Sequence, residues 1–250
     1  IGGGINPIIN SKNVDVLDFK ISKEDKNKLK NNLLIGNIEK LNIKKKYDII
    51  FLLHTLEHLQ NPLKVLKKIE KILNKNGYLF LEVPNFNYYI KKLPHYAIFH
   101  QHLNMYEIKN LRNLISLLDL KIEKVFKNKD VIFCSLIKKK RNKYVMNKVF
   151  YKKKISLLKK NIIKQKNKII KFCKKDKINI LGAGGSAALF LANHNFIKNR
   201  ISNIYDISLK KKGKQFPGIK LKIKKNKKCM YNLKTISFYK VKNTNNLNII

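Results

Sequence analysis

The chain has 250 residues, a formal net charge of +41 and a hydrophobic content of 44%, which is that of a folded globular protein. A charge of this size often indicates a nucleic-acid or anionic-membrane partner. Nearly all of the basic residues are lysines, however, with arginine only at Arg112, Arg141 and Arg200. Because proteins that read nucleic acid use arginine for bidentate contacts, we attribute the charge to composition bias and expect no nucleic-acid partner.

The cysteines predict neither a disulfide framework nor a metal site, because Cys134, Cys173 and Cys229 are far apart and form no C-x-x-C pair. This favours a reducing compartment, and we expect a cytoplasmic protein. No apolar run approaches the roughly 20 residues that cross a bilayer, so we expect no membrane span. The chain begins at Ile1 inside a glycine turn, and we expect the strand that feeds this turn to lie upstream.

Residues 1 to about 140 alternate strand patterns with helical patterns, as in an open α/β sheet. The last two predicted strands form a hairpin. The predicted strands are Asn13–Leu17, Ile49–Leu53, Tyr78–Val83, Lys121–Phe126 and Val131–Ile137. The predicted helices are Lys23–Asn31, Pro62–Leu73 and Glu107–Leu118.

Residues 144 to 175 predict a long basic amphipathic helix. It could lie on a membrane surface or bridge two domains, and we favour the bridge. A second α/β unit follows, with strands Ile178–Leu181 and Ile201–Tyr205. We therefore predict an α/β domain at 1–142, a linking helix at 143–176 and a smaller Rossmann-like domain at 177–250. The apolar stripe of the helix is Ile155, Leu158, Ile162, Ile169 and Phe172.

His54, Glu57 and His58 follow directly after the predicted strand Ile49–Leu53. The spacing H-x-x-E-H occurs in zinc proteases, where the two histidines lie on one face of a helix. Here Pro62 opens the predicted helix only after the motif, so the three side chains would not lie within a helix. We therefore expect no metal site. An alternative is that Glu57 and His58 only satisfy backbone groups where the helix begins.

The segment from Tyr47 to Phe86 resembles the stretch after the fourth strand of class I S-adenosylmethionine-dependent methyltransferases. Its neighbours fit the same resemblance: G-G-G-I-N-P is similar to the family's first glycine turn, and G-N-I-E-K-L is similar to its G-D-A-E-x-L segment. Asp15 matches the acid that binds the ribose, with Asp18 as the alternative if the strand runs longer. Asn37 replaces the acid that faces the adenine amino group, although its amide oxygen can still accept a hydrogen bond. The resemblance implies S-adenosylmethionine as cofactor, bound by Gly2, Gly4, Asp15, Asn37, Ile38 and His54.

The segment from Leu93 to Val125 resembles the Y-H-E-H-L-x-Y-F-S-x-x-S-L segment of sugar C-methyltransferases. His102 matches the histidine that is proposed as the base in that family, and an imidazole can take a proton near neutral pH. Phe99 and Gln101 stand where the family has Tyr and Glu, so proton removal from a carbon or from a hydroxyl both stay open. The resemblance implies His102 as the catalytic residue, with His100 and Gln101 at the substrate. The alternative is that His100 and His102 are structural loop residues.

The segment Gly182-Ala183-Gly184-Gly185-Ser186-Ala187 matches G-x-G-x-x-A between a predicted strand and a helix. Backbone N–H groups of such a turn can bind phosphate groups. Residues 178 to 223 resemble the C-terminal domain of the sugar C-methyltransferase family, although Ser186 and Ala187 stand where that family has Lys-Gly. An NAD-type site and a unit that only completes the substrate cleft are the alternatives. The implied substrate contacts are Gly182, Gly184, Gly185 and Asp206.

Together these features predict a class I methyltransferase domain of Rossmann-like α/β fold, joined by the long helix to a smaller Rossmann-like domain. The predicted activity is methyl transfer to a small-molecule acceptor, a nucleotide-linked sugar or a precursor in polysaccharide biosynthesis. One alternative, motivated by Asn37, Phe99 and Gln101, is a non-catalytic protein that binds sugar nucleotides. A nucleic-acid methyltransferase is less favoured, because V-P-N-F stands where such enzymes that methylate amino groups carry an N-P-P-Y-type motif.

Overall fold

The computed structural model describes residues 9, 11–19, 21, 26–99, 101–128, 130–140, 151–173, 177–225, 236–240 and 246–249. The chain divides into two compact units. One comprises Ile1–Asn87 with His100–Val149, and the other comprises Tyr88–Phe99 with Phe150–Ile250. The predicted boundaries at 142 and 176 differ from this division, because residues 88–99 and the long helix are grouped with the second unit.

The first unit contains a parallel pair of strands, β1 and β2, and a four-stranded sheet in the order β3-β4-β6-β5. Strands β3 and β4 are parallel, whereas β6 is antiparallel to both β4 and β5. The predicted hairpin of the last two strands is confirmed. The bounds are β1 Asp15–Asp18, β2 Asn32–Ile35, β3 Tyr47–Leu53, β4 Leu73–Pro84, β5 Leu120–Lys127 and β6 Val131–Lys138.

Strand β2 was not predicted, and part of the predicted helix Lys23–Asn31 is wrong, since residues 27–31 lie outside any helix. The reason is the Asn31 side chain, which is only 7% exposed. Its amide nitrogen donates to the carbonyl oxygens of Ile9, Ser11 and Val14 at 2.9, 3.1 and 3.1 Å. These bonds fix the entry to β2, and a helical pattern alone does not reveal them.

Two helices of the first unit begin where side chains satisfy their free backbone N–H groups. In α1, the Asn61 side chain accepts from the Lys64 N–H at 3.0 Å, and Pro62 occupies the first turn. In α3, Glu107 and Asn110 form a reciprocal capping box. The bounds are α1 Pro62–Ile72, α2 Phe86–Lys92 and α3 Ile108–Ile115, and α2 crosses the boundary between the two units.

The core of the first unit lies between the β3–β4 strands and α1. Its central members are fully buried, and each contributes roughly 1.5–3 kcal/mol by leaving water. This packing holds the carboxyl ends of β3 and β4 in fixed positions, which matters because the candidate site is built there. The residues with 0% exposure on these elements are Leu52, Val65, Leu66, Ile69, Leu79, Leu81 and Val83.

The second unit contains a five-stranded sheet in the order β11-β10-β7-β8-β9, in which β7, β8 and β9 are parallel. The predicted strands at 178–181 and 201–205 are confirmed. Its core includes Phe190, Ile180 and Ile204, each 0% exposed. The bounds are α4 Tyr151–Cys173, β7 Ile178–Leu181, α5 Gly185–Asn193, β8 Ile201–Asp206, β9 Ile223–Lys225, β10 Ile236–Lys240 and β11 Asn246–Ile249.

The long helix α4 runs from Tyr151 to Cys173. Its predicted stripe is confirmed at Leu158 and Ile169, which are 4% and 1% exposed, but it is wrong at Ile155, which is 52% exposed. Side chains from the middle of the helix bind the segment 88–99 within the same unit. The Asn161 amide donates to the Ile90 carbonyl at 2.9 Å. No helix in the described part of the chain is long and apolar enough to cross a membrane.

Candidate active site

The candidate site lies where parallel strands of the first unit end. The opposite ends of these strands are joined by Asp15. Its carboxylate accepts hydrogen bonds at 2.8 Å from Tyr47, the first residue of β3, and from Lys45, two residues before it. Because Asp15 is the first residue of β1, both parallel pairs begin at this edge. Their carboxyl ends therefore meet at the opposite edge, which is where open α/β sheets bind ligands.

Asp15, predicted to bind the ribose, is the first residue of β1 and lies at the amino end of that strand. Its side chain is 8% exposed. Although burial opposes ionisation, hydrogen bonds from Lys45, Tyr47 and Asn32 hold the pKa of Asp15 below its ordinary value. The carboxylate thus joins the amino ends of β1, β2 and β3. Asp18, the alternative from the sequence, ends β1 at the ligand edge opposite Ile35 of β2.

Asn37 follows β2 at the same edge, after a turn that requires glycine. Gly36 has φ of +149°, and a Cβ there would lie 3.2 Å from the Leu41 side chain. The predicted acceptor oxygen of Asn37 already accepts the Glu39 N–H at 2.8 Å, so the described contacts engage it within the turn. Ile38, predicted to border the adenine, is only 5% exposed and belongs to the core.

This loop is bound to α1 through the side chain of Lys68. Its ammonium group donates to the carbonyl oxygens of Ile38, Glu39 and Leu41 at 3.1, 2.6 and 3.1 Å. An ammonium has three donors, and these three bonds use all of them. The loop that carries Asn37 is thereby fixed relative to α1.

His54, directly after β3, has a strained backbone with φ of +43°, which a non-glycine residue rarely adopts. Its N–H donates to the Glu82 carbonyl at 3.0 Å. Its Nε2 lies 2.8 Å from a Glu82 carboxylate oxygen, and its Nδ1 lies 3.3 Å from Glu57 Oε1. The strained turn therefore places His54 between two carboxylates. Sequence reasoning missed Glu82, whose signal was a lone acid near the end of an apolar strand.

Glu57 is the buried centre of the site. It lies on the short 3₁₀ turn Leu56–His58 and is 1% exposed. Its Oε1 lies 3.3 Å from His54 Nδ1 and 3.8 Å from His58 Nε2. Its Oε2 is buried without a hydrogen-bond partner among the described residues. The nearby Tyr106 hydroxyl has a raised pKa because it is buried and faces the Glu57 charge.

Three hydrogen bonds dock residues 101–104 onto this turn and bring His102 to it. His58 Nδ1 lies 2.7 Å from the Gln101 carbonyl oxygen. The Asn104 N–H donates to the Glu57 carbonyl at 3.0 Å, and its side-chain amide donates to the Leu59 carbonyl at 2.7 Å. As a result, the His58 and His102 rings meet edge to face with centroids 5.0 Å apart. The structure thus joins two segments that the sequence separates by more than forty residues.

Three residues of the predicted site lie outside the described residues, namely Gly2, Gly4 and His100. Their predicted roles stay predictions. Gln101, predicted at the substrate, is exposed, and its carbonyl oxygen faces His58.

The glycine turn of the second unit has open space above it and an acidic residue, Asp206, whose hydrogen bonds lie within the turn. Gly182 has φ of +99°. A Cβ at Gly184 or Gly185 would meet no atom within 4 Å, so the space above the turn is open. Asp206, predicted at the substrate, is 4% exposed, and its carboxylate accepts from the Ala183 N–H, the Ser208 N–H and the Lys211 ammonium at 2.8, 2.9 and 2.9 Å. These contacts close the turn and do not support a direct ligand contact by Asp206.

Two histidines of the second unit are buried, and burial lowers the pKa of each. His95 and His194 are each 1% exposed. Burial and the neighbouring His194 lower the pKa of His95 to about 3, although Gln165 opposes this through a 3.1 Å contact. Burial likewise lowers the pKa of His194, whose Nδ1 lies 2.9 Å from the Phe190 carbonyl oxygen. Both residues belong to the second unit, where the His95 ring packs edge to face against Phe190.

Comparison with known proteins gives a methyltransferase match for the amino-terminal part of the chain. Residues 6–125 match a family model described as a methyltransferase domain. The chain is also 35% identical over 74 residues to the ubiquinone biosynthesis O-methyltransferase of Pelagibacter ubique (strain HTCC1062), which is 30% of this chain and 30% of that protein. The match thus spans less than a third of the relative's length.

Solved structures with a similar chain path include two S-adenosylmethionine-dependent methyltransferases. One, from Thermotoga maritima, is described as a possible histamine N-methyltransferase and has 16% identity and a TM-score of 0.44. The aligned part covers 56% of this chain and 80% of the Thermotoga chain. The other, from Clostridium acetobutylicum ATCC 824, has 12% identity and a TM-score of 0.41. The aligned part covers 50% of this chain and 74% of the Clostridium chain.

The family model covers the parallel strands, the strained turn and the segment that carries His102. The structure independently brings these three parts together at one sheet edge. Residues 6–125 therefore match a methyltransferase domain, and the candidate site is built from residues within this match.

Proposed function

We propose that this protein transfers a methyl group from S-adenosylmethionine to a nucleotide-linked or polysaccharide-precursor sugar, with His102 as the base. The observation that carries the proposal is the group formed by Glu57, His58 and His102 at the carboxyl edge of β3 and β4. A buried carboxylate beside two partly exposed imidazoles is an arrangement that can move a proton.

The charge of this edge suits the methyl donor. The chain carries 56 basic and only 15 acidic residues. Nevertheless Asp18, Glu57 and Glu82 all lie at or next to the carboxyl ends of β1, β3 and β4. S-adenosylmethionine supplies an activated methyl group on a positively charged sulfonium, and nearby carboxylates stabilise such a cation. Asp18 is in position to accept the ribose hydroxyls, in place of Asp15.

His102 supplies the proton acceptor in this proposal. Its segment is held against the 3₁₀ turn by the contacts of Gln101 and Asn104, so the ring is positioned before any substrate binds. The imidazole removes the proton from the acceptor atom as the methyl group is transferred, and Glu57 stabilises the resulting positive charge within the cluster. A single base suffices for this chemistry.

The choice of a sugar acceptor rests on sequence resemblance and on the second unit. The segment 93–125 resembles sugar C-methyltransferases, and so does the glycine turn at residues 182–187. The open space above Gly184 and Gly185, at the beginning of α5, leaves room for a phosphate to approach backbone N–H groups.

Calorimetry with S-adenosylmethionine on the full chain, followed by mass spectrometry of sugar-nucleotide acceptors incubated with it, tests the proposal. We expect micromolar binding of the donor and a mass increase of one methyl group on an acceptor. Absence of donor binding would refute the enzymatic proposal.

Two other outcomes would favour the alternatives. Tight binding of a sugar nucleotide without donor binding would indicate a non-catalytic sugar-nucleotide-binding protein. Tight RNA or DNA binding with a steep dependence on salt would favour a nucleic-acid methyltransferase.

A further inference from the structure

We propose that Glu57, His58 and His102 form a binding site for a divalent transition-metal ion. A carboxylate oxygen of Glu57 and one ring nitrogen from each histidine all lie within 4.8 Å of one another. The inference goes beyond the proposed methyl transfer, because binding of a metal ion requires neither a methyl donor nor an acceptor.

The hydrogen bond of His58 determines which of its nitrogens faces Glu57 with a lone pair. Nδ1 lies 2.7 Å from the Gln101 carbonyl oxygen, and since a carbonyl only accepts, Nδ1 must carry the hydrogen. In the neutral ring Nε2 then carries a lone pair, and it points toward Glu57 Oε1 at 3.8 Å. Two electron-pair donors facing each other repel unless a cation lies between them.

Glu57 provides the second argument. Its carboxylate is almost completely buried, and burying a charge without compensation costs several kcal/mol. A proton on His58 would satisfy the contact with Oε1 but would leave Oε2 without a partner among the described residues. A metal ion would compensate the buried charge of Glu57, and it accounts for the convergence of His58 and His102 on one carboxylate oxygen.

The ligands come from two segments, which is why the H-x-x-E-H spacing did not predict this site. His54 is held by Glu82 through Nε2, and the third ligand comes from His102 instead. Two imidazoles and one carboxylate are typical of zinc, cobalt or iron sites, whereas magnesium prefers oxygen ligands. Three protein ligands leave a coordination position open.

The open position has a chemical consequence. An acceptor hydroxyl bound there would have its pKa lowered by the metal ion. In the metal-bound form His102 is therefore a ligand, and the metal ion replaces it as the group that activates the acceptor. In the metal-free form His102 is the base of the proposed methyl transfer.

The test uses the full chain after treatment with a chelator, titrated with zinc chloride by calorimetry and with cobalt chloride by visible spectroscopy. We expect one site per chain. Glu57→Gln, His58→Ala and His102→Asn should each weaken metal binding at least about tenfold. Even groups that only support metal ligands change the affinity by about 10–100-fold when they are mutated. Glu123→Gln, which removes an exposed carboxylate on β5, should leave the affinity unchanged.

Three results would overturn the site: no binding to the wild-type chain, equal affinity in the three variants, or a cobalt–thiolate absorption band, which would assign the metal to cysteines. Because Glu57 is buried, its variant could fold poorly, but His102 is partly exposed and its variant keeps the test decisive. Metal binding without methyl transfer would leave this site standing and remove the proposed activity, and the reverse result would remove only the site.

Discussion

Glu57 in the first unit and Asp206 in the second are both buried carboxylates that lie close to the ends of parallel strands, yet their surroundings differ. Asp206 accepts hydrogen bonds from two backbone N–H groups and from Lys211, so both of its oxygens are satisfied. Glu57 has one oxygen without a partner among the described residues, and its other oxygen faces histidine rings.

The comparison teaches that a sequence motif and a functional site need not coincide. The glycine turn of the second unit matches a familiar pattern, but its acid stabilises the turn itself. The turn at His54 matches a motif of another enzyme class, and the Glu57 carboxylate beside it has one buried oxygen without a partner among the described residues. A buried unpaired oxygen costs stability, which is why it motivates the proposed ligand.

The largest effect expected from this comparison is on catalysis. His102→Asn should lower kcat by about 10²–10⁴, the usual contribution of a general base. S-adenosylmethionine affinity should change little, because the Asp18 and Asn37 loops are untouched. Steady-state kinetics on a methylated acceptor, with Glu123→Gln as the control, measure this. An unchanged kcat would show that His102 is structural.

A decrease in pH should lower the folding stability mainly of the second unit. The pKa of His95 is about 3 when folded and near 6.5 when unfolded, so between these values the unfolded chain binds a proton that the folded one does not. Stability is therefore complete above about pH 6.5 and falls as the pH decreases, by about 2 kcal/mol at pH 5. His194 acts in the same direction.

Urea unfolding at pH 7.5 and pH 5, followed by circular dichroism, tests this on the full chain. His95→Gln, which cannot gain the proton, should reduce the pH dependence. An equal dependence in the variant would contradict the assignment to His95.

Asp206→Asn should destabilise the second unit by roughly 1–3 kcal/mol, because the turn loses charge-assisted hydrogen bonds. Those bonds outweigh the burial that opposes ionisation and hold the pKa of Asp206 below its ordinary value. Its stabilisation is therefore present above the unfolded pKa and is lost as the pH falls through the folded pKa. Thermal unfolding measures the loss. If stability were unchanged and sugar-nucleotide binding lost, Asp206 would be a ligand residue after all.

The smallest expected effect is on the affinity for S-adenosylmethionine, and it should differ between substitutions at the two ends of β1. Asp18→Asn should weaken S-adenosylmethionine binding about tenfold, which corresponds to about 1.4 kcal/mol. Asp15→Asn should leave that affinity within about twofold, while it lowers stability by about 1 kcal/mol through the lost contacts with Lys45 and Tyr47. Calorimetry and thermal unfolding on both variants give the comparison, and the opposite ranking of affinities would restore Asp15 as the ribose acid.

Elements with a strong local signal were predictable from the sequence. The apolar runs of β3 and β4 identified two buried strands, and Asn61-Pro62 marked the beginning of α1. Strand β2 has only four residues, and its beginning depends on hydrogen bonds from Asn31 to Ile9, Ser11 and Val14. These partners precede Asn31 by 17 to 22 positions. Patterns in a short window do not contain such contacts.

The sequence by itself determined the alternation of strands and helices, the turn at His54 and the residue types available for chemistry, because these depend on local periodicity and composition. Only the tertiary structure decided that Asp15 binds the amino ends of β2 and β3, that Asp206 closes its own turn, and that His102 meets Glu57 and His58. Each of these outcomes depends on hydrogen bonds between distant segments, and the sequence order does not specify which segments will meet.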